Sequence, residues 1–544
     1  MVVYDGKTVS EGIAIGRIYV YSKSEQSVRC NTVADTAAEL ARYADAREKA
    51  IEELQALYDK TLREAGEDAA KIFQAHQFMV EDDDFIESVE ELINTENVNA
   101  EYAVEVTGEN FSNMFAEMED EYFRGRAADV KDIAGRLISI LSGGGSGGIA
   151  ADEPVIVVAD DIAPSETVQM DKDKILAFVT VHGSANSHTS ILAKTMGVPA
   201  IIGCPLPLTE KVNGKLAVAD GYEGRIYVEP DEEVLAAKRK LLQAEQQRKS
   251  LLESLKGRDN VTLDGRRIDI FANIGNTKDL DLVSKNDAGG IGLFRSEFIY
   301  LSSDHFPTEE EQFAVYKKVA ETLSGKKVVI RTLDIGADKQ ADYFELPKEA
   351  NPALGMRAIR ICLTRPEVFK TQLRAILRAS AFGNVAIMFP MIISVEEVRK
   401  IKAIVEEVKA ELDAEGTAYD RDIELGIMIE TPAAVMVADD LAEEVDFFSV
   451  GTNDLTQYTL AIDRQNQTLE AFYDAHHPAI LKMLRMIVEA AHRHGAWAGI
   501  CGELGADPSL TKEFLRMGYD ELSVSPGRIL PLRKAVMEID LREE

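Results

Sequence analysis

The spacing of apolar residues changes several times along the chain, and each change marks a segment. Residues 1–32 alternate at short range and predict strands at Lys7–Ser10 and Ile13–Tyr21, interrupted by Gly12 and Gly16. From Thr36 to Ala65 the period becomes helical, with Leu40, Ala44, Ile51, Leu54 and Leu57 separated by charged residues. The same pattern predicts further helices at 67–80, 82–94, 99–116 and 120–141. Apolar strands return at Pro154–Ala159, Ile175–Thr180 and Val198–Ile202. Between the last two, Ser187 is placed to cap a short helix over His188–Met196 that stops at Gly197. Residues 231–258 read as one highly charged helix, a composition suited to bridging two domains.

Beyond residue 259 the pattern becomes strand, polar turn and helix, repeated. Eight strands are predicted, near Asp269–Asn273, Gly290–Phe294, Lys327–Leu333, Val385–Met388, Glu424–Ile429, Val445–Val450, Trp497–Ile500 and Leu522–Val524. Such alternation predicts a (β/α)8 TIM-type barrel. The expected architecture is therefore multidomain α/β. An α/β domain is formed by 1–32 and 143–230, with an all-helical insert at 33–142. A helical linker follows at 231–258, and the barrel occupies 259–544.

Composition narrows the class. With 94 acidic and 60 basic residues the formal charge is −34, which argues against nucleic-acid binding and for basic partners. An anionic substrate would then need arginines concentrated at its site. Cys30, Cys204, Cys362 and Cys501 are scattered and form no CxxC pair, as expected of reduced thiols. No apolar run approaches the roughly 20 residues of a membrane span, and MVVYDGKTVSEG lacks the regions of a signal peptide. A cytoplasmic location is expected. The Gly-rich stretch 143–148 has no Lys-Ser/Thr behind it and reads as a flexible joint, not a phosphate loop.

Reactive side chains fall at the ends of the barrel strands. Arg295 follows the second, Arg331 lies within the end of the third, and Glu430 follows the fifth. Asn453 and Asp454 follow the sixth, with Arg464 further along that loop, and Cys501 follows the seventh. In a barrel these positions converge on the C-terminal mouth. Arginines offer forked donors to phosphate and carboxylate. Glu430 and Asp454 are hard oxygen ligands suited to Mg²⁺, and a cysteine can donate a proton. Taken singly, arginine and glutamate at strand ends also form ordinary ion pairs, and a cysteine after an apolar strand is often core. Six suitable residues at the strand ends of one mouth, with Arg464 beyond them, are harder to dismiss. His188, on the first turn of its helix, has the placement of a nucleophile whose phosphoryl group lies over free backbone N–H groups. The same placement suits a histidine that only hydrogen-bonds its loop.

The motif S-H-T-S-I-L-A-K at 187–194, with G-V-P-A-I-I-G behind it, resembles the phosphohistidine signature of enzyme I of the bacterial phosphoenolpyruvate-dependent sugar phosphotransferase system. The resemblance continues through G-L-F-R-S-E-F (292–298), I-R-T-L-D-I-G-A-D-K (330–339) and M-F-P-M-I-I-S-V-E-E-V (388–398). It extends to E-T-P-A-A (430–434), V-G-T-N-D-L-T-Q-Y (450–458) and C-G-E-L (501–504). Within the helical insert, I-F-Q-A-H (72–76), M-V-E-D (79–82) and the stretch 120–130 resemble the subdomain that docks the phosphocarrier protein HPr.

The resemblance implies a phosphotransferase that moves the phosphoryl group of phosphoenolpyruvate to His188 and then to a histidine of HPr, releasing pyruvate. It further implies Arg295, Arg331, Asn453 and Arg464 as substrate ligands, with Asp454 shared between substrate and metal. Glu430 and Asp454 would bind Mg²⁺, Cys501 would be the acid, and Thr167 would orient the imidazole. A homodimer through the barrel is also implied. Many members carry Gly-Gly-Arg before the histidine motif, where this chain has Gly183-Ser184-Ala185, so that arginine's role is not carried over. A dikinase of related sequence would need a nucleotide-binding domain, and no stretch is left to form one. A catalytically silent scaffold that binds HPr would not need the residues of the barrel mouth.

Overall fold

Val155–Ala159 (β4) is buried at every position, as a strand covered on both faces requires. A computed structural model places it at the centre of an eight-stranded sheet and describes residues 1–21, 28–65, 67–118, 121–143, 153–162, 166, 170–183, 188–209, 211–336 and 341–542. The chain forms two units, Met1–Arg248 and Lys249–Glu544. In the first, β1 (Val2–Asp5), β2 (Lys7–Ser10) and β3 (Ile13–Tyr21) join β4, β5 (Ile175–Thr180), β6 (Ala200–Ile202), β7 (Leu216–Asp220) and β8 (Arg225–Val228). The strand order is β1-β8-β7-β3-β4-β5-β6-β2. The run β3–β4–β5–β6 is parallel, and the remaining pairings are antiparallel.

The alternation along β4 and β5 sends side chains to two separate cores. Ile156, Val158 and Val179 face one with Ala217 and Ile226. Val155, Val157 and Phe178 face the other, where Leu192, Ala193 and Met196 of the helix His188–Met196 pack. This packing fixes the helix that carries His188.

The insert comprises five helices: α1 (Thr36–Ala65), α2 (Glu67–Val80), α3 (Asp83–Glu96), α4 (Ala100–Ala116) and α5 (Glu121–Leu141). They bury Tyr43, Leu54, Phe73, Val89, Val104 and Leu137 in one core. Asp82 caps α3 by accepting from the Phe85 N–H at 3.0 Å. Phe73 is core, and Met79 is half-buried against it. His76 is fully buried between Asp129 (3.4 Å) and Asp132 (3.8 Å) of α5, a structural position. The joint at 144–148 lies outside the described residues.

The charged linker forms the helix Glu232–Glu253, shorter than the expected 231–258. It has an apolar stripe after all. Val234, Leu235 and Leu242 pack on Ile13, Val218 and Tyr227. Lys238 reaches the buried carboxylate of Asp220 and donates to Glu223 at 3.0 Å, with its ammonium 5.4 Å from the Tyr227 ring centre.

The second unit is a closed barrel of eight parallel strands. They are β9 (Asp269–Ile274), β10 (Ile291–Arg295), β11 (Val328–Arg331), β12 (Val385–Phe389), β13 (Glu424–Ile429), β14 (Phe447–Val450), β15 (Trp497–Ile500) and β16 (Glu521–Val524). Pairing of β16 with β9 closes the ring. Inside stand Leu293, Val329, Ala386, Met388, Met428, Phe447 and Trp497; the larger core lies between the strands and the outer helices. Local signals set the helices: Val395–Glu415 starts at a capping box of Ser394 and Glu397 and ends at Gly416, which is left-handed at φ 70°.

Candidate active site at the barrel mouth

Two arginines end neighbouring strands. Arg295 closes β10 and Arg331 closes β11, and the two are in register. Arg295 is the last residue of its strand, one place earlier than the expected loop. Glu430 follows β13 directly. Gly451 follows β14 and leads into the helix Thr452–Leu460, whose first turn carries Asn453 and Asp454. Cys501 follows β15. All six lie at the C-terminal ends of parallel strands, so the fold brings them to one mouth.

Arg331 is only 5% exposed and donates to Glu297 at 2.6 Å and to Asp334 at 2.9 Å. Asp334 also accepts from Arg357 at 3.0 Å, and Arg357 donates to the Tyr458 hydroxyl at the same distance. Burial is the largest single influence and opposes both charges, but Asp334 together with Glu297 at Arg331, and together with Asp454 at Arg357, outweighs it. Both guanidinium pKa values stay above the ordinary range. The buried Nε of each has no partner among the described residues. Arg295 is half-buried and pairs with no carboxylate among the described residues. The mouth thus gathers three arginines, two of them fixed by buried carboxylates, in an otherwise acidic chain.

Two carboxylates stand with it. Glu430 is 1% exposed and accepts the Met391 N–H at 2.7 Å. A Cβ on Gly451 would lie 2.8 Å from Oε2 of Glu430, so glycine makes room for that carboxylate. Burial, then Asp454 and Asp334, push the Glu430 pKa well above the carboxylate range, against the pull of Arg331 and Arg357. Asp454 is buried, with Arg464 at 3.8 Å; Arg464 itself reaches toward solvent. Asn453 is half-buried. Two crowded carboxylates of this kind fit a divalent cation, which relieves their repulsion. Among the described residues no group of three or more His, Cys, Asp or Glu forms a complete protein metal site, so other ligands would come from water and substrate.

Cys501 is 3% exposed, and its thiol points to the Val450 carbonyl oxygen at 3.5 Å. Burial pushes its pKa up to about 12 against a hydroxyl contact from Ser449, so the group carries its proton at neutral pH. His188 opens its helix as expected, with Thr189 and Ser190 buried behind it. The His188 side chain, Thr167 and residues 184–187 lie outside the described ones.

Comparison with known proteins assigns the chain. Descriptions of the PEP-utilising enzyme family match in three parts: the N-terminal part at 5–126, the mobile domain at 151–224 and the PEP-binding domain at 249–541. The phosphoenolpyruvate-protein phosphotransferase of Priestia megaterium is 42% identical over 535 residues, covering 98% of this chain and 93% of that protein. The Geobacillus stearothermophilus protein of the same name is 42% identical, covering 99% and 93%. That of Bacillus subtilis is 40% identical, covering 99% and 95%. The chain belongs to the phosphoenolpyruvate-protein phosphotransferase family. Among solved structures, that of Enzyme I (nEIt) is 32% identical over 45% of this chain and 99% of that one, with a TM-score of 0.39.

For a phosphoenolpyruvate-protein phosphotransferase, the mouth holds more than the strand ends announce. Arg357 and Asp334 were not among the expected residues. Asp334 follows β11 by three residues and reads as one more acid of an acidic chain. Arg357 lies in the long connection after β11, where strand-end reasoning does not reach. The signal that could have found it is the loop itself, since a long connection at the mouth is unusual unless it serves the site.

Proposed function

We propose that the barrel mouth binds phosphoenolpyruvate through Arg295, Arg331, Asn453 and Arg464. His188 attacks the phosphoryl group, and the resulting phosphohistidine passes it to a histidine of HPr. The observation that carries this reading is the pairing of buried, carboxylate-fixed Arg331 with its register neighbour Arg295, which has no carboxylate partner among the described residues. One arginine is held rigid and the other keeps its donors for an anion. Asn453 and Arg464 add an uncharged and a charged donor from the loop after β14.

Glu430 and Asp454 would hold Mg²⁺, which when bound neutralises charge on the moving phosphoryl group. Loss of that group leaves the enolate of pyruvate, and Cys501, protonated at neutral pH, supplies the proton to carbon. Thr167 is assigned to orient the His188 ring. The domain reading places the histidine domain in 1–32 and 143–230, the HPr-binding helices in 33–142 and the linker in 231–258. Exposed Phe78 (65%) and Met114, set among acids, support a docking face for a basic carrier. A second copy of the chain is assigned to the barrel. Leu354, Ile393 and Met436 (71%) are exposed apolar residues on segments following β11, β12 and β13.

The test is pyruvate release from phosphoenolpyruvate and Mg²⁺ by the full chain. About one pyruvate per chain is expected without HPr, and continuous release with it. No pyruvate from a folded, metal-loaded chain would leave a silent HPr-binding scaffold as the better account.

A further inference from the structure

One outer helix of the barrel carries a polar residue where its pattern calls for an apolar one. In the helix Pro366–Ser380, Phe369, Leu373, Ile376 and Leu377 are buried along one stripe, and Gln372 lies within it, fully buried. A buried amide is tolerated there only if its hydrogen bonds are made. Gln372 makes three. Its Oε1 accepts the Leu333 N–H at 2.8 Å, and its Nε2 donates to the hydroxyl oxygens of Ser296 at 3.0 Å and Tyr316 at 3.1 Å. The backbone donor at Leu333 fixes which end of the amide is oxygen.

Each partner shows why an amide is needed. β10 ends at Arg295 and the chain turns into the helix Glu297–Leu301, so the strand ladder leaves no acceptor on that side for the Leu333 N–H. Ser296 stands at the N-cap of this short helix yet makes no capping bond; its hydroxyl accepts from Gln372 instead. Behind the amide, the hydroxyls of Tyr316 and Tyr300 both donate to Oε1 of Gln312 at 3.2 Å, and Gln312 donates to the Pro307 carbonyl oxygen at 3.0 Å. All of these side chains are buried, so Gln372 is itself braced.

The two segments joined by Gln372 are those that carry the arginines of the mouth. Ser296 sits between Arg295 and Glu297, and Leu333 adjoins Asp334 two residues past Arg331. Glu297 and Asp334 are the carboxylates that grip Arg331, at 2.6 and 2.9 Å, so both are next to a group held by the same amide. From this geometry we propose that Gln372 is a positioning residue that fixes the spacing of Arg295 and Arg331, and so sets the affinity of the mouth for its phosphorylated anion. The inference rests on the reading that those two arginines bind phosphoenolpyruvate. Two forked cations that meet one anion must be held to within a fraction of an ångström, and displacement lowers affinity steeply. Gln372 acts from the helix layer, through the backbone of two neighbouring strand ends.

The test is calorimetric titration of phosphoenolpyruvate with Mg²⁺ into the full chain carrying His188→Ala, which binds without turnover. Ser296→Ala, which removes one hydroxyl, should weaken binding about three- to tenfold, and Gln372→Met should weaken it further. Tyr300→Phe is the matched control: it deletes a buried hydrogen bond of the same network but leaves all three bonds of Gln372, and its affinity should stay at the parent value. Adding Ser296→Ala to Arg295→Ala should cost little more, because one arginine has no spacing to keep. Unchanged affinity in Ser296→Ala would overturn the proposal. An equal loss in Tyr300→Phe would overturn it too, as would a full additional loss on top of Arg295→Ala. If Gln372→Met does not fold, Ser296→Ala and the two comparisons decide alone. Arg295→Ala separates the two levels: unchanged affinity there would refute the arginine reading itself, whatever the Gln372 and Ser296 variants do.

Discussion

Arg331 and Glu297 are joined inside the barrel mouth by a 2.6 Å ion pair with both side chains buried. Glu297 follows β10 by two residues and fixes the last side chain of β11, so a neighbouring strand's loop sets the arginine's direction. Glu297→Gln keeps a hydrogen-bond acceptor but removes the charge. Because Asp334 still neutralises Arg331, the stability loss should stay below the about 3–5 kcal/mol typical of a broken buried pair. The phosphoenolpyruvate half-saturation should rise severalfold, because the guanidinium can rotate. Calorimetry and phosphorylation kinetics on the same variant check both parts, and an unchanged half-saturation would detach Glu297 from the site.

Gly451→Ala tests the second cluster. Its backbone has an ordinary negative φ, so the new methyl brings no strain there; it brings a contact 2.8 Å from Oε2 of Glu430 and 3.0 Å from Met428 Sδ. The carboxylate must move. The Mg²⁺ requirement should rise about tenfold or more, with His188 remaining competent to receive phosphate backwards from phosphorylated HPr. An unchanged Mg²⁺ titration would separate Glu430 from the metal.

The pH dependence of barrel stability follows from Glu521. Its folded pKa of about 8 lies above that of an exposed glutamate, raised chiefly by burial. Between about pH 4.3 and 8 the folded barrel holds a proton that the unfolded chain has lost. Stability therefore falls as pH rises through that window, by on the order of a few kcal/mol from this group. Glu521→Gln removes this contribution, so its melting temperature should decline less than that of the wild type between pH 6 and 9. Parallel declines would show that Glu521 ionises normally.

The barrel was legible because its strands are short, buried apolar runs between polar turns, and this pattern is local. Strand ends place Arg295, Arg331, Glu430 and Cys501 by topology alone. What was missed depends on distant partners. β1 pairs with β8 more than 200 residues away and is largely exposed, so Val2–Asp5 has neither the alternation nor the burial of a core strand. The roles of Gly451 and Gly499 appear only when the carboxyls lying over them are seen. The linker helix looked polar throughout, yet Val234, Leu235 and Leu242 form a narrow stripe that the surrounding charges concealed. The His188 motif was recognised by resemblance, since its own surroundings equally suit a loop histidine.

The most direct measurement is intact-chain mass spectrometry after mixing with phosphoenolpyruvate and Mg²⁺, with the modified residue mapped before and after adding HPr. One acid-labile phosphate on His188 is predicted, discharged by HPr. His188→Ala should carry none while its barrel still binds phosphoenolpyruvate. Undiminished phosphate on His188→Ala, or phosphate mapped to another residue of the wild type, would contradict the account.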